Sequence, residues 1–569
     1  MDDDLRERVE RAAEKHALLN AVKYDSDADV GAIMGPLMGE NPEFRPHGDE
    51  IPGVVGGVVA RVNDLPLAEK RERLEELAPE ELAEIDADDE EEDHDLPDLP
   101  NVDDEVRMRA APNPNGPWHI GHARMPAVIG TYKQRYDGSF VVRFDDTDPE
   151  TKRPDLDAYE AILDDIDYLG FEPDEVLLAS DRLETYYDHA RDLIDAGGAY
   201  TCSCTAEDFS EMKNAAEACP HRDKDRKTVR EEFAAMVDGG YDAGEMVLRV
   251  RTDIDHKNPA LRDWVAFRMI DTPHPRPEAE AYRCWPMLDF QSGVDDHLTS
   301  VTHIIRGIDL QDSAKRQQFV YDYFGWEYPE VVHWGHVQVD AYDVQLSTST
   351  LKEKIDAGDL DGWDDPRAPT LASLRRRGIR GEAVVEALAA LGTSTSNVDL
   401  AMSSVYAANR DLVDDDAERY FLVRDGVPFE IDGGPDAGHP PLHPDHEDRG
   451  ERTIPADGGV VLEPEDVPDP GDRVWLKGYA CVRRDGDRLV VTDDDIEVVR
   501  SGDADVIHWA PAEGAVPVRM RTPDGDVHGV AEPDFAETTG GDVVQFERLG
   551  FVRVDDHDDD GSVVYWAHP

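Results

Sequence analysis

Two histidines three residues apart, His119 and His122, follow the run Pro112-Asn113-Pro114-Asn115-Gly116-Pro117. Ahead of them Val106, Met108 and Ala110 alternate with Arg107 and Arg109, the period of an extended strand. Behind them Met125, Val128, Ile129 and Tyr132 recur at spacings of three and four, the period of a helix. A strand that turns into a helix N-terminus offers an anion free backbone N–H groups and the positive end of the helix dipole. Two imidazoles at the same end add side-chain donors. The expected chemistry is phosphate binding by Pro112, Asn113, Pro114, Asn115, Gly116, His119, Gly121 and His122. Histidines at this spacing also occur on helix surfaces and in cores, so the turn and the strand carry the reading.

Three further constellations could do chemistry. Cys202-Ser-Cys204, fourteen residues and Cys219-Pro-His221 give the order C-x-C…C-x-H. Thiolate and imidazole ligands so ordered can close a tetrahedral zinc site with a structural role, and they can equally be reduced cysteines without a metal. Arg306 ends an apolar run, Val301-Thr-His-Ile-Ile305. A guanidinium there is costly to bury unless paired, and its planar fork suits a carboxylate. Asp295 or Asp296 could satisfy it internally. Asp145 to Asp148 follow a second apolar strand, Ser139 to Phe144, where Asp146 to Asp148 are expected to serve as a turn and helix N-cap.

The elements that must hold these residues follow from pattern. From 102 to about 195 strands alternate with helices, which indicates a parallel, doubly wound sheet with ligands at the carboxyl ends of its strands. Both the His119/His122 turn and Asp145 fall at such ends. Two helical segments occupy Gly381 to Ala408. After Tyr420 short alternating strands and Gly/Asp/Pro turns replace helices, the signal of all-β barrels; Val474 to Arg483 reads as one such strand. Residues 1–95 hold amphipathic helices, the first over Leu5 to Val22, and an acidic linker over Ala87 to Asp98.

The chain has 569 residues, 128 Asp and Glu against 58 Lys and Arg, and a net charge of −70. Arg outnumbers Lys 45 to 13. The acidic residues decorate segments with clear apolar periodicity, so they are a solvated surface rather than a disordered tail. At molar salt the Debye length falls to about 3 Å, and self-repulsion becomes tolerable; adaptation to a salt-rich cytoplasm is the expectation. No apolar run is long enough to span a membrane, the N-terminus lacks a signal peptide's pattern, and five cysteines are no disulfide scaffold. A cytoplasmic monomer without membrane contact is expected. The basic run His221 to Arg230 is a candidate RNA surface or a solvated helix face.

Val106 to Arg124, with its PNPNGPWHIGHAR core, resembles the HIGH signature of class I aminoacyl-tRNA synthetases in its glutamyl/glutaminyl form. The segments from Cys284 to His297 and from Val301 to Gly307 are similar to the second half of that family's catalytic domain. Gly362 to Gly378 matches the same branch almost word for word. Leu346-Ser347-Thr348-Ser349-Thr350 stands where the family has its KMSKS loop, and Thr350 occupies the position of a lysine. IHWAPAEGAVPVRM and VVQFERLGFVRVD fit the anticodon-reading barrels of the archaeal type.

The resemblance implies a multidomain α/β plus all-β protein, and places six regions: a helical extension with acidic linker (1–95), the first half of a Rossmann-type catalytic domain (96–197), an acceptor-end-binding insertion with a zinc site (198–283), the second half of the catalytic domain (284–345), the signature loop and a helical subdomain (346–415), and two anticodon-binding β-barrels (416–569). It implies ATP with Mg²⁺, L-glutamate and tRNA(Glu), with tRNA(Gln) as a further acceptor to test. Ser347, Thr348, Ser349 and Lys352 would join the HIGH residues at ATP; Arg109 and Arg306 would hold the substrate γ-carboxylate and Asp145 its α-amino group. Leu288 stands where a tyrosine usually helps to bind the amino acid. The implied activity is glutamate–tRNA ligation; the alternatives are a glutaminyl enzyme, which lacks an Arg at position 306, a non-catalytic RNA-binding paralogue, and a tRNA-modifying glutamyl transferase, which would lack the β-rich C-terminus.

Overall fold

A computed structural model describes parts of residues 3–78 and residues 96–569 apart from 103–104, 340–341, 343–346, 494–498, 500–503 and 559–560. Residues 1–95 and 96–569 are separate compact units. In the first, helices α1 (Asp3–Lys23), α2 (Val30–Glu40) and α3 (Ile51–Asn63) bury Val9, Ala13, Leu18, Ile33, Leu37, Val55, Val58 and Val62 against one another. The Asn63 side chain ties the ends, bonding both the N–H and the carbonyl of Ala28 at 2.8 and 3.1 Å. Most of the acidic linker lies outside the described residues.

The second unit opens with strands β1 (Arg107–Ala110), β2 (Ser139–Phe144) and β3 (Glu175–Leu178). Helices α4 (Ile120–Tyr136), α5 (Leu156–Tyr168) and α6 (Leu183–Asp195) follow them in turn. An antiparallel sheet, β4 (Ala199–Cys202), β5 (Val247–Val250), β6 (Val265–Met269) and β7 (Cys284–Pro286), is inserted before β8 (His303–Gly307) and β9 (Glu330–Trp334) complete the first sheet. That sheet is wholly parallel in the order β3-β2-β1-β8-β9. The order reverses between β1 and β8, and such a switch point opens a crevice at the strands' carboxyl ends. Burial explains the sequence: every residue of β2 is buried, so SFVVRF reads as one apolar run with a single charge.

The insertion carries α7 (Ala206–Asn214) and α8 (Arg226–Val237). Helices α9 (Leu288–Leu298) and α10 (Gln311–Phe324) back the second half of the parallel sheet. After α11 (Thr348–Ala357) come α12 (Leu371–Arg377), α13 (Gly381–Ala389) and α14 (Met402–Val413).

Among the described residues the C-terminal region forms two seven-stranded sheets and a short two-stranded one. In each seven-stranded sheet the two edge strands are neighbours in the chain: Arg419–Tyr420 and Leu422–Arg424 in one, Asp505–Ile507 and Ala510–Pro511 in the other. The sheets therefore curl into barrels, which removes exposed edges. The chain starts one barrel at residues 419–424, builds the other over 427–511, and returns to finish the first with Val516–His568. The expected strand over Val474 to Arg483 is a hairpin instead: Arg473–Leu476 pairs antiparallel with Ala480–Asp485, and Gly478 at φ +73° makes the reversal.

Candidate functional site

The turn after β1 is held by backbone from a distant segment. Ile120 N–H donates to the Pro369 carbonyl at 2.9 Å, and Leu371 N–H donates to the Trp118 carbonyl at 3.1 Å. Buried Asp165 on α5 accepts from Trp118 N–H at 3.0 Å. This gives Gly362 to Gly378 a physical role: it straps the start of α4. Gly116 lies so close to the second signature segment that a Cβ there would sit 2.5 Å from Thr348 Cγ2.

His119 and His122 stack with ring centroids 3.7 Å apart. Neither Nδ1 has a hydrogen-bond partner among the described residues. Burial lowers the His119 ring to about 4; burial, then the charges of His119 and Lys152, lower His122 to about 3. Both are neutral at working pH, and each ring has a nitrogen to spare for a ligand. They face a cavity of about 410 Å³ lined by Pro112, Asn113, Asn115, Gly116, Trp118 and Lys152 from one side and Ser347, Thr348 and Ser349 from the other. Ser347 caps α11, so two helix N-termini border one cavity. The expected residues are brought together with three exceptions. Pro114 uses its carbonyl to accept from Asp155 N–H at 2.8 Å. Gly121 lines the neighbouring cavity. Lys352 does not line the cavity, and its Nζ pairs with Asp155 at 2.7 Å.

The neighbouring cavity, about 260 Å³, shares Ala111, His122 and Met125 with the first. Arg109, Arg124, Asp145, Leu288, Ser292, Arg306 and Gln317 line it. Two of these lining residues meet Asp296, fully buried on α9: it receives Arg109 Nε at 3.1 Å, with Arg306 Nη2 at 3.9 Å, and it also receives Arg143 Nη1 at 2.7 Å. Arg143 also pairs with Asp145 at 2.8 Å. Burial alone would raise the Asp296 carboxyl, but Arg109, Arg143 and Arg306 outweigh it and hold it at about 2. Three guanidiniums against two carboxylates leave one positive charge uncompensated. Arg306 is the least committed of them: it donates Nη1 to Gln317 at 3.2 Å, and its buried Nε has no partner among the described residues. Arg124 adds a second cation whose partners are carbonyls, Gly335 at 3.0 Å and Gly392 at 2.7 Å, and burial lowers its pKa to about 10. A buried cationic pocket of this size suits a small anionic ligand.

Sequence reasoning named Asp296 only as an internal partner for Arg306 and missed Arg143 and Lys152. The charge inside SFVVRF was the available signal for Arg143, since a buried strand tolerates an arginine only when it is paired. The expected turn role fails for Asp146. It is fully buried and accepts from Ser180 N–H (2.8 Å), Ser180 Oγ (2.7 Å) and Tyr159 (2.8 Å), pinning the end of β2 to α5 and to the exit of β3. Asp148 does hold the turn, accepting from Thr151 N–H at 3.0 Å. The basic run His221 to Arg230 is largely neutralised: Arg222 pairs with Asp263, Lys224 with Glu232, Lys227 with Glu231 and Arg230 with Asp195.

Cys202, Cys204, Cys219 and His221 place one ligand atom each within 4.8 Å of all the others. Cys219 Sγ is 3.5 Å from both other thiols, and no disulfide joins them. His221 Nδ1 stands 3.4 Å from Cys204 and Cys219. Zn–S bonds of about 2.3 Å in a tetrahedron put sulfurs just under about 4 Å apart, so the cluster fits a closed zinc site. Among the described residues no helix is long and apolar enough to cross a membrane.

Sequence comparison adds the family. Residues 105–415 match the profile of the "tRNA synthetases class I (E and Q), catalytic domain", and residues 417–501 and 506–555 match two anticodon-binding domain profiles of the same group. A glutamate–tRNA ligase of Natronomonas pharaonis is 70% identical over 571 residues, covering 100% of both chains. That of Haloarcula marismortui is 70% identical over 580 residues, again covering 100% of both. That of Methanothrix thermoacetophila is 44% identical over 577 residues at the same coverage. With its parallel sheet, inserted domain and C-terminal barrels, the chain belongs to the class I tRNA synthetases of the glutamate and glutamine group.

Proposed function

We propose that the chain is a glutamate–tRNA ligase that activates L-glutamate with ATP and transfers it to tRNA(Glu). The observation that carries this reading is the uncompensated positive charge around Asp296, which reaches, through Arg109 and Arg306, a cavity that adjoins one bordered by two helix N-termini. Arg306, with Arg109 behind it, holds the γ-carboxylate; Asp145, half-committed to Arg143, takes the α-amino group. The amide of glutamine would leave the surplus charge unmatched, which disfavours the glutaminyl alternative. Leu288 leaves an apolar rim where a hydroxyl is usual, and Ser292, one turn further along the same helix, and Gln317 are polar groups of the same cavity.

Substrate glutamate attacks through its α-carboxylate at the α-phosphate of Mg²⁺-bound ATP, forming the C–O–P bond of glutamyl-adenylate and expelling pyrophosphate. No covalent enzyme intermediate is needed. Neutral His119 and His122 donate to the phosphate oxygens on which charge builds, and they require no solvent reorganisation to do so. The terminal tRNA adenosine then attacks the adenylate carbonyl through its 2′-OH and AMP leaves. The two barrels bind the anticodon. The enzyme works as a cytoplasmic monomer, and a dimeric mass on sedimentation would contradict that.

Charging assays with tritiated glutamate on tRNA(Glu) and tRNA(Gln) transcripts test the reading. Charging of tRNA(Glu) is expected, increasing toward molar KCl as the acidic surface is screened. No charging of either transcript, or an optimum in dilute buffer, would overturn the ligase or the salt-adaptation reading respectively; charging of both would add tRNA(Gln) as an acceptor.

Cys202, Cys204, Cys219 and His221 would hold one Zn²⁺, which would clamp β4 to the segment before α8 and take no part in the reaction. Native mass spectrometry of protein purified without chelator should show one zinc per chain. Cys204→Ser should lose it and lower the unfolding temperature of the insertion; a metal-free wild-type protein would refute the site.

A further inference from the structure

The ATP cavity lacks the cation that its second signature segment would be expected to bring, because position 350 is threonine. Building on the ligase reading, we propose that Lys152 binds the β- and γ-phosphates of ATP in its place. Lys152 lies after β2, on a different part of the chain from the signature loop, yet it lines the same cavity as Ser347, Thr348 and Ser349.

Four observations converge on it. First, with both histidines neutral, Lys152 is the one formally charged residue among the described residues that line this cavity, and none of those residues is a carboxylate. In a chain with 128 acidic residues that is a selected environment for an anion. Second, Lys152 has no ion-pair partner among the described residues. The nearby carboxylates are engaged elsewhere: Arg268 takes Asp148 at 3.0 Å and Glu150 at 3.6 Å. Lys352, the natural substitute by sequence position, is instead paired with Asp155. Third, the backbone of this segment is fixed to the phosphate turn. Asn113 Nδ2 donates to the carbonyls of Asp145 (2.9 Å) and Lys152 (3.4 Å), and Asp155 N–H donates to the Pro114 carbonyl (2.8 Å). An exposed side chain on a fixed backbone can swing onto a bound triphosphate without rearranging the fold. Fourth, its charge is felt at His122, where it adds to burial in disfavouring protonation of the ring.

The terminal phosphates are the part of ATP that a lone ammonium serves best, as a point charge without directional demand. Lys152 would neutralise the pyrophosphate as it departs, while His119 and His122 attend the reacting phosphate.

Equilibrium dialysis of the full chain with ATP and with AMP, alongside glutamate-dependent ATP–pyrophosphate exchange with tRNA present, separates the possibilities. Lys152→Ala should weaken ATP binding about 10-fold, leave AMP binding unchanged and slow exchange about 100-fold, within the range of one lost phosphate or oxyanion donor. Lys152→Arg should recover most of both. Lys352→Ala should stay within about 3-fold of the unmodified enzyme. ATP binding by Lys152→Ala equal to that of the unmodified protein, an equal loss of ATP and AMP, or a Lys152→Arg variant no better than alanine would each overturn the role. Because dialysis needs no glutamate, an unmodified protein that discriminates ATP from AMP through Lys152 yet shows no exchange would count against the ligase reading alone.

Discussion

Arg306→Ala should lower kcat/KM for glutamate about 10³-fold while leaving glutamine within about 10-fold of its starting value. Truncating one side of a buried, hydrogen-bonded charge pair costs about 2–5 kcal/mol, largely because the opposite charge is left without a partner. Here that opposite charge is the substrate's γ-carboxylate. Arg306 is placed for the role: 6% exposed, bonded to Gln317, with Nε unpartnered among the described residues, and at 3.9 Å only loosely paired with Asp296. Removing it leaves Asp296 satisfied by Arg109 and Arg143 at 3.1 and 2.7 Å, so the fold should survive. Steady-state kinetics of ATP–pyrophosphate exchange with each amino acid, tRNA present, gives the comparison. Equal losses on glutamate and glutamine would make Arg306 a structural residue rather than a selector.

Asp296→Asn should have the opposite signature, a loss of stability of about 3–5 kcal/mol. The amide is nearly isosteric, but Arg109, Arg143 and Arg306 would then face one another around a neutral group. Urea unfolding of the variant against the unmodified chain measures it; a difference below about 1 kcal/mol would mean that the three guanidiniums are held apart by other contacts. The pH dependence has a definite sign. Asp296 is held at about 2 against an ordinary 3.8, so its pairing stabilises the fold above pH 3.8 and that contribution is lost as pH falls from 3.8 toward 2. His119 and His122, held at about 4 and 3 against 6.5, bind protons less readily folded than unfolded, so they begin to destabilise the fold already as pH drops below 6.5. Acid should therefore weaken the unmodified protein in two stages, and Asp296→Asn should lose Asp296's share of the second, while Asp365 and Glu547, also held at about 2, keep the rest.

The parallel sheet was legible because alternating strands and helices leave few topologies, and the switch point follows from them. His119, His122 and Arg306 could be read because each breaks a local rule: two imidazoles at a turn, and a guanidinium ending an apolar strand. The order of Cys202, Cys204, Cys219 and His221 offered a metal cluster or reduced cysteines alike, and the resemblance, not the spacing, favoured zinc. Arg143 was hidden because its justification, Asp296, lies 153 residues further along the chain. Asp146 reads as a turn residue until β3 and α5 are folded around it. Lys152 looks like any surface lysine in a turn; only the approach of Ser347–Ser349 from two hundred residues away makes it part of a cavity. The barrels were visible as a class, but their closure was not, since the strands Arg419–Tyr420 and Leu422–Arg424 pair with residues more than 100 positions later.

Everything proposed for the amino-acid cavity rests on a surplus of buried positive charge that a carboxylate can neutralise and an amide cannot. The most direct test is the specificity of the unmodified protein, measured as kcat/KM for glutamate against glutamine in ATP–pyrophosphate exchange with tRNA(Glu) present at high KCl. A site built around a charged partner should prefer glutamate by at least about 10³-fold. Glutamine accepted as well as glutamate, or better, would contradict the account.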